Sequence, residues 1–562
     1  MSKKQTSRRF ILLAVFFCLT VFSWEFSSLT GVSAQQETSP TSQRSRKASA
    51  TATPSPKVSP SVKPAATPIA TPTATPAPQR VQTLAELQAK IRGILLRPEL
   101  QRGQVGIKVV SLDSGKTMFE ENAEKYFMPA SNMKIFTVSA ALMRLTPDFH
   151  FSTSVYAAAK PDTDGVVKGD LTIYGRGDPS LAAAFNNGDY FKGFNDLADK
   201  IKQAGVKRVE GELVGDESYF TDEAIPSGWE WDDLQWYYGA EVSSLTSNDN
   251  ALDLTAKPGP SVGSIASVTL SPNVPGIILK NRVYTTAAGT KREIGVFKPL
   301  GQNVFEVSGS IPLDDAGKIG NVGSVGVTRP AQIYIALLRQ ALEQKGVTFT
   351  GANRVVNAKE RAPLAVSSST PWIEIAKLDS PPLGVIAAHT LKPSQNLYTE
   401  LILRAMGETI GDKTGGKKNS FVLGAGVVDK FLKEAGIADG SVLMYDASGL
   451  SRHNLITPAA VVQLYIYMSK SSYAGVWREA LPIGGVDGTL KNRLKNPATI
   501  NNVHAKTGTL DQVSSLSGYL TTASGEKLVF SIMTNALPSQ SLRQNTADEI
   551  TLMLAGYNGK SN

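Results

Sequence analysis

Between Met128 and Leu142 the chain is apolar at most positions and headed by Pro129, as a helix packed into a core would be, yet it carries Ser131 and Lys134. A lysine in such a segment constrains the rest of the fold, because burial disfavours the charged ammonium and pushes the amine toward neutrality. The spacing predicts a buried helix opening at Ser131. Residues three apart on a helix share a face, with Cβ atoms about 5 to 6 Å apart, so the Lys134 amine can reach back to the Ser131 hydroxyl. A serine at a helix N-terminus also has unpaired backbone N–H groups beside it, suited to a developing oxyanion. No histidine or carboxylate stands near in sequence to activate that hydroxyl, which leaves neutral Lys134 as the candidate base. Alone this is weak evidence. The same spacing recurs at Ser524-Gly525-Glu526-Lys527, a polar turn between strand-like runs where the lysine should face water.

Two further segments strengthen it. Leu391–Glu400 places Ser394 and Asn396 in a break marked by Pro393, before an amphipathic helix. Val503–Leu510 carries Lys506-Thr507-Gly508-Thr509 and precedes the runs Leu516–Leu520 and Leu528–Thr534, the context of a strand bordering a hairpin. Lys506 there adds positive field, and Gly508 lets backbone approach a ligand closely. Decoys exist for both. Lys413-Thr414-Gly415 lies in a polar Gly- and Lys-rich loop, and Ser271-Pro272-Asn273 in a turn with no helix behind it.

The 562 residues are 41% apolar and 19% charged, enough to bury a core over several domains. The net charge of +9 is concentrated at the start, where Lys3, Lys4, Arg8, Arg9, Arg44, Arg46, Lys47, Lys57, Lys63 and Arg80 face only Glu25 and Glu37. The remainder is nearly neutral, which argues against a nucleic-acid partner. One cysteine, Cys18, and four scattered histidines offer neither a disulfide nor metal-ligand spacing, so no metal and no cofactor are expected. Basic residues before the apolar run Phe10–Trp24, with Val32-Ser33-Ala34 after it, predict a signal peptide over 1–34 and export to the periplasm or cell envelope. Residues 35–80, rich in Pro, Thr and Ser, predict a disordered linker, a solvated spacer whose charge supports at most weak membrane or wall association. Globular structure should start near Val81, with Thr83 and Glu86 forming a capping box for a helix over Leu84–Leu96, then a hairpin from Val105.

Serine-x-x-lysine, serine-x-asparagine and lysine-threonine-glycine in this order make the chain resemble the penicillin-recognising serine enzymes. The 263 residues from Ser131 to Ser394 exceed what single-domain β-lactamases place there. The likeness is to the class C low-molecular-mass penicillin-binding proteins, the D-alanyl-D-alanine carboxypeptidase/endopeptidase family. Supporting stretches are Tyr174–Leu181, Tyr238–Ala240 with Asn248 and Asn250, Asp446–Arg452, and Leu481–Leu490. The resemblance implies an α/β (α+β) transpeptidase/β-lactamase-like core, an antiparallel sheet flanked by helices. Residues 82–155 and 372–562 would form it, and 156–371 would be inserted β-rich domains. It further implies peptidoglycan peptides as substrates, β-lactams as inhibitors, and catalysis by Ser131, Lys134 and Ser394. Asn396 would hold a substrate amide, and Lys506, Thr507, Gly508 and Thr509 would line the site for the terminal carboxylate. Backbone N–H groups of Ser131 and Thr509 would form the oxyanion hole. Ala447 departs from the family's glycine, so a positive φ there would be strained. Asp446 and Ser448 read equally as turn formers or as an active-site edge. Trp229, Trp231 and Trp236 read as core or inter-domain contacts before they read as a groove. The competing readings are a β-lactamase or esterase, against which the insertion and the missing Glu-x-x-x-Asn motif argue, and a catalytically silent wall-binding protein, against which the intact motifs argue.

Overall fold

The computed structural model describes residues 80–318, 320–361 and 372–561; the expected signal peptide and all of the expected linker but Arg80 lie outside them. Both ends of the described chain meet in one five-stranded antiparallel sheet, ordered His504–Leu510, Val513–Thr521, Lys527–Asn535, Gln104–Ser111, Thr117–Glu121. The strand Lys527–Asn535 is buried on both faces after its first residue, which explains its nearly continuous apolar run. One face packs on the helices Leu84–Leu95 and Gln540–Ala555 through Ile91, Val109, Phe530 and Ile550. The capping box forms as expected: Thr83 Oγ1 accepts from the Glu86 N–H at 3.2 Å, and Glu86 accepts from the Thr83 N–H at 2.8 Å.

The other face carries a helical layer made of Lys134–Leu145, Leu383–Leu391, Asn396–Ile410, Ser420–Glu434 and Pro458–Ser469. Asn396–Ile410 is not amphipathic in place. Every residue from Asn396 to Gly407 is buried, because the helices on either side cover it. A Cβ on Gly407 would stand 2.4 Å from the Gly424 nitrogen, so the two helices meet backbone to backbone. Glu400 and Arg404 are thereby sealed inside the layer.

The inserted segment, expected to be β-rich, carries helices beside its strands. Its sheet, ordered Asn353–Val356, Leu213–Asp216, Leu171–Tyr174, Ser152–Ala157, Ile373–Asp379, is mixed, and the parallel pairs require crossovers. The helices Lys192–Gln203 and Pro330–Gln344 belong to this part, the first burying Phe194, Leu197, Ala198 and Ile201 at helical spacing. The chain enters on Ser152–Ala157 and returns beside it on Ile373–Asp379. Residues 251–326 add two three-stranded sheets that share the same apolar cluster.

Candidate active site

The Ser131 segment differs in one respect from expectation. Ala130–Met133 is a 3-10 turn and the α-helix begins at Lys134, with Ala130 at φ 47°. Side chains three apart eclipse on a 3-10 turn, which stacks Lys134 over Ser131. Its Nζ lies 2.8 Å from Ser131 Oγ, 2.5 Å from Asn396 Oδ1 and 2.7 Å from the Ser448 carbonyl oxygen. Lys134 is fully buried, and that burial lowers its pKa to about 7 although Asp446 and Glu400 both pull upward. Two of the three partners are amide oxygens that can only accept. A neutral amine gives them its two hydrogens and is left with a lone pair for the Ser131 hydroxyl.

Ser394 sits at φ 66° in the break between two helices, and Gln395 caps the second by accepting from the Leu397 N–H at 3.3 Å. Lys506 donates to Ser394 Oγ at 2.8 Å and to the Thr507 carbonyl at 2.8 Å. It is fully buried although its strand is the sheet edge, because the Ser131 turn packs against that edge. Burial, with Lys134 nearby, pushes the Lys506 amine well below the ordinary lysine range. Thr507 Oγ1 donates to Thr489 Oγ1 at 2.7 Å, and the Thr489 N–H donates to the Lys392 carbonyl at 3.0 Å. The Asp487–Leu490 loop is thus fastened between the second and third motifs. Asn396 has both ends engaged within the protein, since its Nδ2 donates to the Tyr238 carbonyl at 2.8 Å, and each end keeps one further hydrogen-bonding position. Thr509 is exposed at the rim.

Gly508 lies against the Ser131 turn, where a Cβ would stand 2.2 Å from Ser515 Oγ, 2.6 Å from the Pro129 carbonyl and 3.0 Å from the Ser131 nitrogen. Gly508→Ala is therefore expected to displace that turn and slow acylation by about a hundredfold, with a smaller loss of thermal stability. Penicillin acylation kinetics and a melting curve check it.

Asn132 and Glu400 carry no signal of their own in the sequence. Asn132 Nδ2 bridges Ser515 Oγ at 2.6 Å and the Lys506 carbonyl at 3.2 Å, tying the first motif to the third. Glu400 accepts from the N–H groups of Ala447 and Ser448 at 3.0 and 2.9 Å, and its other oxygen takes Arg404 at 2.7 Å. Asp446 accepts from Gly449, Ser451 and Asn454 and so shapes the loop whose Ser448 carbonyl meets Lys134. Ala447 carries no positive φ; Gly449 does, at 87°, and its missing Cβ lets the loop reach the Ala130 carbonyl. The three tryptophans part company. Trp229 donates to Asp446 at 2.8 Å, Trp231 is exposed, and Trp236 packs in the inserted core. The decoy Lys413 pairs with Glu408 on the surface, and Lys527 is exposed.

Residues 87–557 match the D-Ala-D-Ala carboxypeptidase 3 (S13) family. The chain is 32% identical over 491 residues to a D-alanyl-D-alanine carboxypeptidase of Actinomadura sp. (strain R39), across 85% of this chain and 86% of that one. It is 28% identical to the D-alanyl-D-alanine carboxypeptidase DacB of Haemophilus influenzae, across 79% and 87%. The crystal structure of penicillin binding protein 4 from Haemophilus influenzae superposes with a TM-score of 0.68 at 25% identity, covering 83% of this chain and 97% of that one.

Proposed function

Because the chain belongs to the D-Ala-D-Ala carboxypeptidase 3 (S13) family, we propose that its buried lysine–serine cluster cleaves the terminal D-alanyl-D-alanine bond of peptidoglycan peptides, with Ser131 as nucleophile and Lys134 as base. It is a serine D-alanyl-D-alanine carboxypeptidase, an enzyme of envelope metabolism. The observation that carries the residue assignment is the environment of Lys134: fully buried, with two obligate acceptors and the Ser131 hydroxyl around one amine.

Ser131 Oγ attacks the carbonyl carbon of the penultimate D-alanine while its proton passes to Lys134 Nζ. The Ser131 and Thr509 N–H groups receive the oxyanion. As the C–N bond breaks, the leaving D-alanine nitrogen takes a proton from Ser394, replenished through Lys506 at 2.8 Å. Water then cleaves the Ser131 ester. Burial and Lys134 push the Lys506 amine down in the free enzyme, and a substrate carboxylate beside it would favour its charged form. Thr507, Gly508 and Thr509 complete that carboxylate site. β-Lactams enter as substrate mimics and acylate Ser131. In this reading 82–155 and 372–562 are the catalytic domain apart from the strands Ser152–Ala157 and Ile373–Asp379 that join the inserted sheet, 156–371 are inserted, 1–34 are a signal peptide and 35–80 a linker.

The test uses the full chain and an N-acylated peptide ending in D-Ala-D-Ala. One free D-alanine per peptide is expected, with release abolished by prior penicillin treatment. Absence of release from folded protein would overturn the reading, and a cross-linked muropeptide run alongside reads endopeptidase activity.

A further inference from the structure

The helix Asn396–Ile410 acts on Lys134 twice. Its first residue, Asn396, binds the amine directly, and one turn later Glu400, on the same face, binds the loop that supplies another of the amine's partners. Glu400 Oε1 accepts from two successive N–H groups, Ala447 and Ser448, and the carbonyl of that same Ser448 lies 2.7 Å from Lys134 Nζ. Its Oε2 accepts from Arg404, whose Nε reaches the nearly buried Asp222 of the inserted segment at 2.7 Å. Every one of these contacts to Glu400 is a donor, so the geometry suits a carboxylate and offers no acceptor to a carboxylic acid. Such a group is costly to bury, and Arg404 with two backbone amides offsets that cost.

We propose that Glu400 is a positioning residue for acylation: its carboxylate, braced by Arg404 and Asp222, aims the Ser448 carbonyl at Lys134, and its negative charge opposes loss of the proton from that amine. The titratable groups facing Lys134 are Glu400 and Asp446 on one side and Lys506 on the other, and the two carboxylates counter the burial. Burial itself works on Glu400, raising its pKa against the pull of Arg404. The inserted segment, through Asp222, thereby becomes part of the machinery that tunes the base.

The test reads the second-order rate of acylation by a chromogenic cephalosporin across about pH 5 to pH 9. Glu400→Gln keeps an acceptor for both amides and leaves Arg404 its bond to Asp222; its Nε2 then meets the Arg404 donor in place of an acceptor, a cost in stability that a melting curve reads beside the loss of charge. The acid limb of its profile is expected to move to lower pH by about half a unit to one unit, because loss of a nearby negative charge lowers the amine pKa. The rate above the limb is expected to fall several-fold with the weaker base. A folded Glu400→Gln with the wild-type limb overturns the proposal. If that variant does not fold, Asp222→Asn carries the test, since Arg404 then closes on Glu400 and cancels more of its field; an unmoved limb overturns the proposal there too. The inference rests on Lys134 as base, so Lys134→Met is measured alongside. Wild-type acylation in Lys134→Met overturns the base assignment itself, whereas a collapsed rate there with an unmoved limb in Glu400→Gln overturns only the role of Glu400.

Discussion

Ser131→Ala is expected to take up no penicillin, with the covalent mass increase seen on the wild-type Ser131 peptide absent and D-alanine release reduced by about a thousandfold or more. The substitution removes the one atom to which an acyl group can transfer while leaving Lys134 its bonds to Asn396 and Ser448. The hydroxyl is only part-buried, so stability should change by less than about 1 kcal/mol. Intact-mass and peptide-mapping measurements on both proteins decide the point. An adduct that persists in the variant, on Ser394 for instance, would exclude Ser131 as the nucleophile.

Lys134→Met is expected to slow acylation by about a thousandfold, the upper part of the range for a lost general base, because Lys134 Nζ is the basic group hydrogen-bonded to Ser131 Oγ among the described residues. The pH dependence supplies the sign. Burial lowers the lysine pKa to about 7, so the neutral amine that acts as base predominates above that value and is lost below it. Wild-type acylation should therefore rise through about pH 7 and fall tenfold per unit on the acid side. In the variant the residual rate should lose that limb. Stopped-flow acylation with a chromogenic cephalosporin reads both, and a variant that keeps the wild-type limb would move the base elsewhere, with Lys506 the next candidate.

Much of this site is legible because its chemistry is written in short local runs. Ser131 with Lys134, Ser394 with Asn396, and Lys506-Thr507-Gly508 each announce themselves by residue type and spacing, and context separates them from Ser524, Ser271 and Lys413. The sheet strands are legible for the same reason, since Leu528–Thr534 has the continuous apolar run of a strand covered on both faces. Glu400 and Arg404 are different. At four-residue spacing on a helix they look like an exposed ion pair, and only tertiary packing, which sets the Ala447 and Ser448 amides against Glu400 and Asp222 against Arg404, buries them. The helix Lys192–Gln203 had a readable period in Phe194, Leu197, Ala198 and Ile201 that short turn signals around it obscured.

What the sequence determined by itself was the inventory: a serine and a lysine one short turn apart, their order relative to two other motifs, and a chain composition able to bury them. The tertiary structure decided the state of that inventory. Whether Lys134 is a base or a surface cation depends on its desolvation and on Asp446, Glu400 and Lys506, which stand hundreds of residues away along the chain. Local spacing is a property of covalent geometry, whereas burial and field are set by whatever the fold brings alongside, and a proton's free energy responds to the second.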